Sequence, residues 1–149
     1  MHRTDWGVRF SAGDLSHFLS CRHLLALDLA ALHKRREKPR GRGDDDLLKL
    51  LQKRGMEHEA AYVETLRMEG RGVVDLNGLP RNEPEVAIAR TTQAIRHGAD
   101  VIVQAALAHE SWFGYADVLV RTNAPSKLGR WSYEVIDSLW PTWEPAGSR

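Results

Sequence analysis

Apolar residues recur at three- and four-residue spacing as far as His97, and the period then shortens toward two. Leu15, Phe18, Leu19, Leu25, Leu29 and Leu32, with Arg22 among them, define one helix running to about Leu32. Phe10-Ser11-Ala12-Gly13-Asp14-Leu15 marks its start. Ser11 can cap, Asp14 can reach back to the Ser11 amide, and Phe10 can pack on Leu15. A second helix opens at Asp44-Asp45-Asp46, where acids meet the positive end of the helix dipole. Its stripe of Leu47, Leu48, Leu51, Gly55, His58, Ala61, Tyr62 and Leu66 puts His58 on the inward face, flanked by Glu57 and Glu59. Gly70 and Gly72 end it, and Val73 to Leu76 can form a short strand. Val86 to His97 reads as a third helix, with Pro84 suited to its first turn and Gly98 to its close.

From Asp100 the pattern is extended. Val101 to Leu107, Trp112 to Arg121 and Trp131 to Asp137 read as three strands. They are joined by His109-Glu110-Ser111 and Asn123-Ala124-Pro125-Ser126. The expected fold class is therefore α+β, with N-terminal helices covering one face of a three-stranded antiparallel meander. Residues 1–137 form the patterned domain, and 138–149 an unpatterned tail.

Composition narrows the picture slightly. A chain of 149 residues, 42% hydrophobic and 28% charged, can bury a core as one domain. It holds 21 basic against 20 acidic residues, so net charge names no partner. No apolar run reaches the roughly 18 residues of a membrane span, and MHRTDWGVRF lacks a signal peptide's apolar core, so a cytoplasmic protein is expected. Cys21 is the single cysteine, which rules out an intrachain disulfide. The basic run His33 to Gly43 carries Lys34, Arg35, Arg36, Lys38, Arg40 and Arg42 against one acid, Glu37. It reads either as a solvated loop or as a phosphate-contacting arm.

Candidate chemistry lies in the strands. Asp117 stands mid-strand on the side of Phe113, Tyr115 and Leu119, where an unpaired carboxylate costs several kcal/mol. On the next strand Tyr133, Val135 and Asp137 share a face, with Glu134 and Ile136 on the other. A hairpin would let Asp117 and Asp137 approach, and a divalent cation is the usual resolution of two such charges. With His58 they make a set for Mg²⁺ or Mn²⁺; taken singly, an inward His is more often a satisfied core histidine, and a strand Asp more often paired with an Arg or with backbone amides.

Three stretches carry a resemblance. RGMEHEAAYVETL (Arg54 to Leu66), FGYADVLVR (Phe113 to Arg121) and WSYEVIDS (Trp131 to Ser138), in that order, resemble the motifs of RecB-like nucleases of the PD-(D/E)XK superfamily. The closest likeness is to a bacterial group of RecB-like nucleases, some fused to a helicase; FSAGDLSHFLSCRHLLALDLA (Phe10 to Ala30) resembles that group's N-terminus. The resemblance implies a restriction-endonuclease-like core and Mg²⁺- or Mn²⁺-dependent hydrolysis of DNA. His58, Asp117 and Asp137 would be metal ligands, and Asp117, Asp137 and Glu134 the catalytic acids. DNA is the implied partner, together with a helicase or a chain that completes the nuclease domain. Some relatives hold an iron–sulfur cluster through one N-terminal and three C-terminal cysteines. Cys21 matches the first of these, but one thiolate cannot supply the usual four ligands, so no cluster is expected in this chain alone.

The chain also departs from the pattern. The family's lysine belongs two residues after Asp137, where it would stabilise developing charge, and position 139 is Leu. Pro141 and Pro145 forbid the helix that the family places next, so a truncation or frame change after Asp137 is expected, leaving an incomplete core. The expected activity is weak or absent. The alternative is a non-catalytic α+β module that binds nucleic acid or a protein partner.

Overall fold

In a computed structural model, residues 1–4, 7–37 and 46–136 are described. Their elements are β1 (His2–Thr4), β2 (Gly7–Arg9), α1 (Ala12–Ser20), α2 (Arg22–Leu32), α3 (Asp46–Met68), β3 (Val73–Asp75), α4 (Pro84–Arg96), β4 (Val101–His109), β5 (Trp112–Thr122) and β6 (Ser132–Ile136). They fall into two compact units. The first holds Met1–Asp45 with Leu107–Gly114, and the second Asp46–Ala106 with Tyr115–Arg149.

In the first unit β1 and β2 pair antiparallel, with His2 opposite Arg9, a hairpin that the apolar pattern did not signal. The Phe10 amide donates to the Ser111 carbonyl at 2.7 Å, and the Phe113 amide donates to the Phe10 carbonyl at 2.8 Å. The expected start of α1 is present: the Ser11 amide donates to the Asp14 carboxylate at 2.7 Å. The single helix expected to Leu32 is instead two. Cys21 adopts φ −161° and ψ 109°, ending α1 and opening α2. No glycine or proline marks the break, and the apolar spacing runs through it. After α2, Lys34 takes φ 56°, with its amide donating to Ala31 and that of Arg35 to Ala30. That bonding is a Schellman cap, usually built on glycine.

The second unit is built on a sheet of order β3-β4-β5-β6. β5 and β6 pair antiparallel, with Val118 opposite Ile136 and Thr122 opposite Ser132. β3 adds a parallel edge, Val73 opposite Val101. Parallel neighbours need a crossover, and α4 supplies it. Instead of a purely antiparallel three-stranded sheet, the second unit has a mixed sheet of four strands. Its helices divide between both faces, where one covered face was expected. Val63 and Leu66 of α3 pack on Val101, Val103 and Val118. Ala94 of α4 packs with Ile102, Ala105, Ala116 and Leu119. Ile102 and Val101 are inaccessible to solvent. Successive strand residues point to opposite faces, which is how one apolar strand feeds two cores.

Gly70 and Gly98, at φ 79° and 67°, end α3 and α4 where the sequence places the stops. Each allows the two crossed amide bonds of a Schellman cap: Gly70 to Arg67 and Arg71 to Leu66, then Gly98 to Ile95 and Ala99 to Ala94. Carbonyls in the last turn of α4 and just after it also accept side-chain donors from β5, β6 and Trp131. Arg121 donates to Gly98 at 2.6 Å, Tyr133 to Ala99 at 2.8 Å, and Trp131 to Ile95 at 3.3 Å. Among the described residues no helix is long and apolar enough to cross a membrane.

Candidate active site

The inward stripe of α3 is Gly55, Glu59 and Tyr62, half-buried, with Val63 and Leu66, buried. His58, expected to face inward, is exposed, and Glu59 takes the inward place. Neighbouring helix positions differ by about 100°, so a shift of one residue exchanges a histidine for a carboxylate.

β4 meets that carboxylate with Gln104, the one polar side chain in Val101 to Leu107. The backbone at Gln104 has φ 54°, in the left-handed region that a non-glycine residue enters at a cost of about 1–3 kcal/mol. The strand's alternation resets there. Val103 packs in the α3 cluster, while Ala105, two residues on, packs in the α4 cluster. β5 shows the same reset around Asp117, with Ala116 in the α4 cluster and Val118 in the α3 cluster. Such resets are bulge-like, and bulges re-aim side chains beside functional sites.

The re-aimed side chains meet. The Gln104 amide nitrogen donates to both Glu59 oxygens, at 3.2 and 3.3 Å, and lies 3.3 Å from Asp117 Oδ1. Its carbonyl oxygen accepts from Arg81 at 2.9 Å. The Arg81 guanidinium lies 4.1 Å from the centre of the Tyr115 ring. A cleft of about 350 Å³ opens here, lined by Glu59, Asp75, Arg67, Arg81 and Gln104 over an apolar floor that includes Val63 and Val103.

The electrostatics favour a proton or a cation at Glu59. Burial raises its pKa; the bond from Gln104 opposes the rise, the charges of Asp117 and Asp75 add to it, and Arg81 opposes it. The net shift is upward. Asp75 is otherwise engaged: it accepts from the Asn77 amide at 2.9 Å and lies 3.9 Å from Arg67.

Asp117 is thus brought into a polar cluster, as its mid-strand position implied. Glu134 is exposed on β6, opposite Val120. Lys34, Arg35 and Arg36 are exposed in the first unit, as is Cys21. Asp137, Lys38, Arg40 and Arg42 lie outside the described residues. The last described pair of β5 and β6, Val118 with Ile136, consists of the chain neighbours of Asp117 and Asp137.

The donors suit a hard cation in kind, since Glu59 and Asp117 offer carboxylate oxygens of the type Mg²⁺ and Mn²⁺ take. In number they fall short: no three acidic, histidine or cysteine side chains form a metal-holding group among the described residues. Sequence reasoning passed over Glu59, Gln104 and Arg81. A lone Gln inside Val-Ile-Val-Gln-Ala-Ala-Leu was the available signal. Compared with protein-family models, with curated proteins and with solved structures, the chain matches none.

Proposed function

We propose that the second unit carries the core of a RecB-like nuclease that hydrolyses DNA phosphodiesters with a divalent metal, weakened because Leu139 stands where the family has lysine. The observation that supports this reading is the meeting of Glu59 with Gln104 and Asp117, which stand at the two strand distortions, Glu59 and Gln104 lining an open cleft. In this reading β4, β5 and β6 are the meander of an incomplete restriction-endonuclease-like core, and α3 is its ligand-bearing helix. Glu59 takes the helix-borne role that the resemblance gives to His58. Asp117 and Asp137 are the strand acids.

A bound Mg²⁺ or Mn²⁺ would polarise the phosphate and make its water acidic. Glu59 and Asp117 are the described residues that would hold it, and Asp137 is the further ligand that the resemblance implies. Gln104 keeps the first two carboxylates together, and its bond to Arg81 holds a cation beside them. One observation favours the competing, non-catalytic reading: the Gln104 amide already bonds to both carboxylates, as it would in a self-satisfied polar cluster.

Cleavage of a labelled single-stranded oligonucleotide separates the two. Weak Mn²⁺-dependent cleavage is expected, lost in Asp117→Ala and raised on the order of 10²-fold in Leu139→Lys, the scale of one restored electrostatic stabiliser. No gain in Leu139→Lys, or cleavage indifferent to Asp117, would count against the nuclease reading.

A further inference from the structure

We propose that Arg81 is the phosphate-binding cation of this cleft, holding a DNA backbone phosphate beside Glu59 and Asp117. The inference rests on the nucleic-acid reading above and adds to it the residue that receives the backbone.

Two cations line the cleft, Arg67 and Arg81. Arg67 is committed to acids: it lies 3.3 Å from Glu64 and 3.9 Å from Asp75. Among the described residues Arg81 forms no carboxylate ion pair. Its one hydrogen bond there goes to the neutral Gln104 carbonyl, and its guanidinium stands over Tyr115. That arrangement fixes the plane of the group while using one of its five N–H donors. A guanidinium held flat, weakly hydrated and with donors to spare matches a phosphate's paired oxygens better than a mobile ammonium does.

The surrounding charge gives the arrangement its purpose. Glu59, Asp75 and Asp117 would repel a phosphodiester, and Arg67 is already taken up by two acids. Arg81, which lines the cleft with Glu59 and Asp75, offsets that repulsion. It follows β3 in the loop leading to α4, outside the three motif stretches.

The test is binding of a fluorescent single-stranded oligonucleotide to the full chain in EDTA, across a series of salt concentrations. No metal or turnover enters the readout. Arg81→Gln should weaken binding about tenfold and flatten the salt dependence by about one phosphate contact. Arg81→Lys should keep the salt slope, since it keeps the charge, while losing part of the affinity. A second cleft, lined by Leu76, Arg90, Gln93 and Ala94, does not include Arg81, and Arg90→Ala, which removes a cation there, should bind like the parent. Thermal melts of each variant, run alongside, establish that it is folded. Parent-like affinity and slope in Arg81→Gln would overturn the proposal even if that variant melted lower, because Arg81 would then only brace Gln104. That result leaves the nuclease reading standing, whereas a parent chain that binds no DNA would sink both.

Discussion

At the scale of the residue, the lesson is how much a one-position rotation decides. The stripe that placed His58 inward was anchored on Leu47 and Leu51, and these are 63% and 56% exposed. The packed half of α3 follows Val63 and Leu66 instead, which turns Glu59 to the sheet. Glu59 also makes a pH prediction. Burial raises its folded pKa above the ordinary 4.5, so the folded chain holds that proton more tightly than the unfolded chain does. Its contribution to stability is therefore full below pH 4.5 and is lost as pH rises through the raised folded value. Glu59→Gln removes the titration while keeping an oxygen that Gln104 can bond. Melting curves across mildly acidic to neutral pH should show the variant gaining on the parent as pH rises. Parallel pH profiles would contradict this account of the cleft.

At the scale of the element, most helix stops and strands were legible, because glycine and period are local signals. Gly70 and Gly98 stand where their left-handed φ is used, and the three long strands fall on the extended stretches. Three features were not legible. The break at Cys21 interrupts no apolar spacing, and the β1–β2 hairpin is too short to show a period. The parallel pairing of β3 depends on residues about 28 positions away, as Val73 with Val101 shows, so no local pattern reports it.

What joins α4 to β4 can be tested. Thr91, fully buried on α4, accepts the Ala106 amide at 2.9 Å. Thr91→Val keeps the shape and leaves that amide buried without its partner, which should cost about 1–3 kcal/mol in urea unfolding. Stability equal to the parent's would mean that the bond does not hold helix to strand.

At the scale of the whole molecule, two compact units come from a chain whose length suggested one domain. The second unit contains both apolar clusters, and the proposed site grows from that construction. An apolar strand shared by two cores has little room for a polar residue, and Gln104 and Asp117 fall where the alternation of β4 and β5 is reset. The sequence exposed the mid-strand carboxylate of Asp117. It hid the partners, because Glu59, Arg81, Gln104 and Asp117 come together only through sheet pairing and helix rotation.

The most direct measurement is thermal unfolding of the parent and of Asp117→Ala, with and without millimolar Mn²⁺. A ion that binds only the folded state at about 100 times its Kd adds roughly 2.7 kcal/mol of stability. Mn²⁺ is expected to raise the melting temperature of the parent and to leave that of Asp117→Ala in place. No shift in the parent, or the same shift in both chains, would contradict a metal site at Asp117.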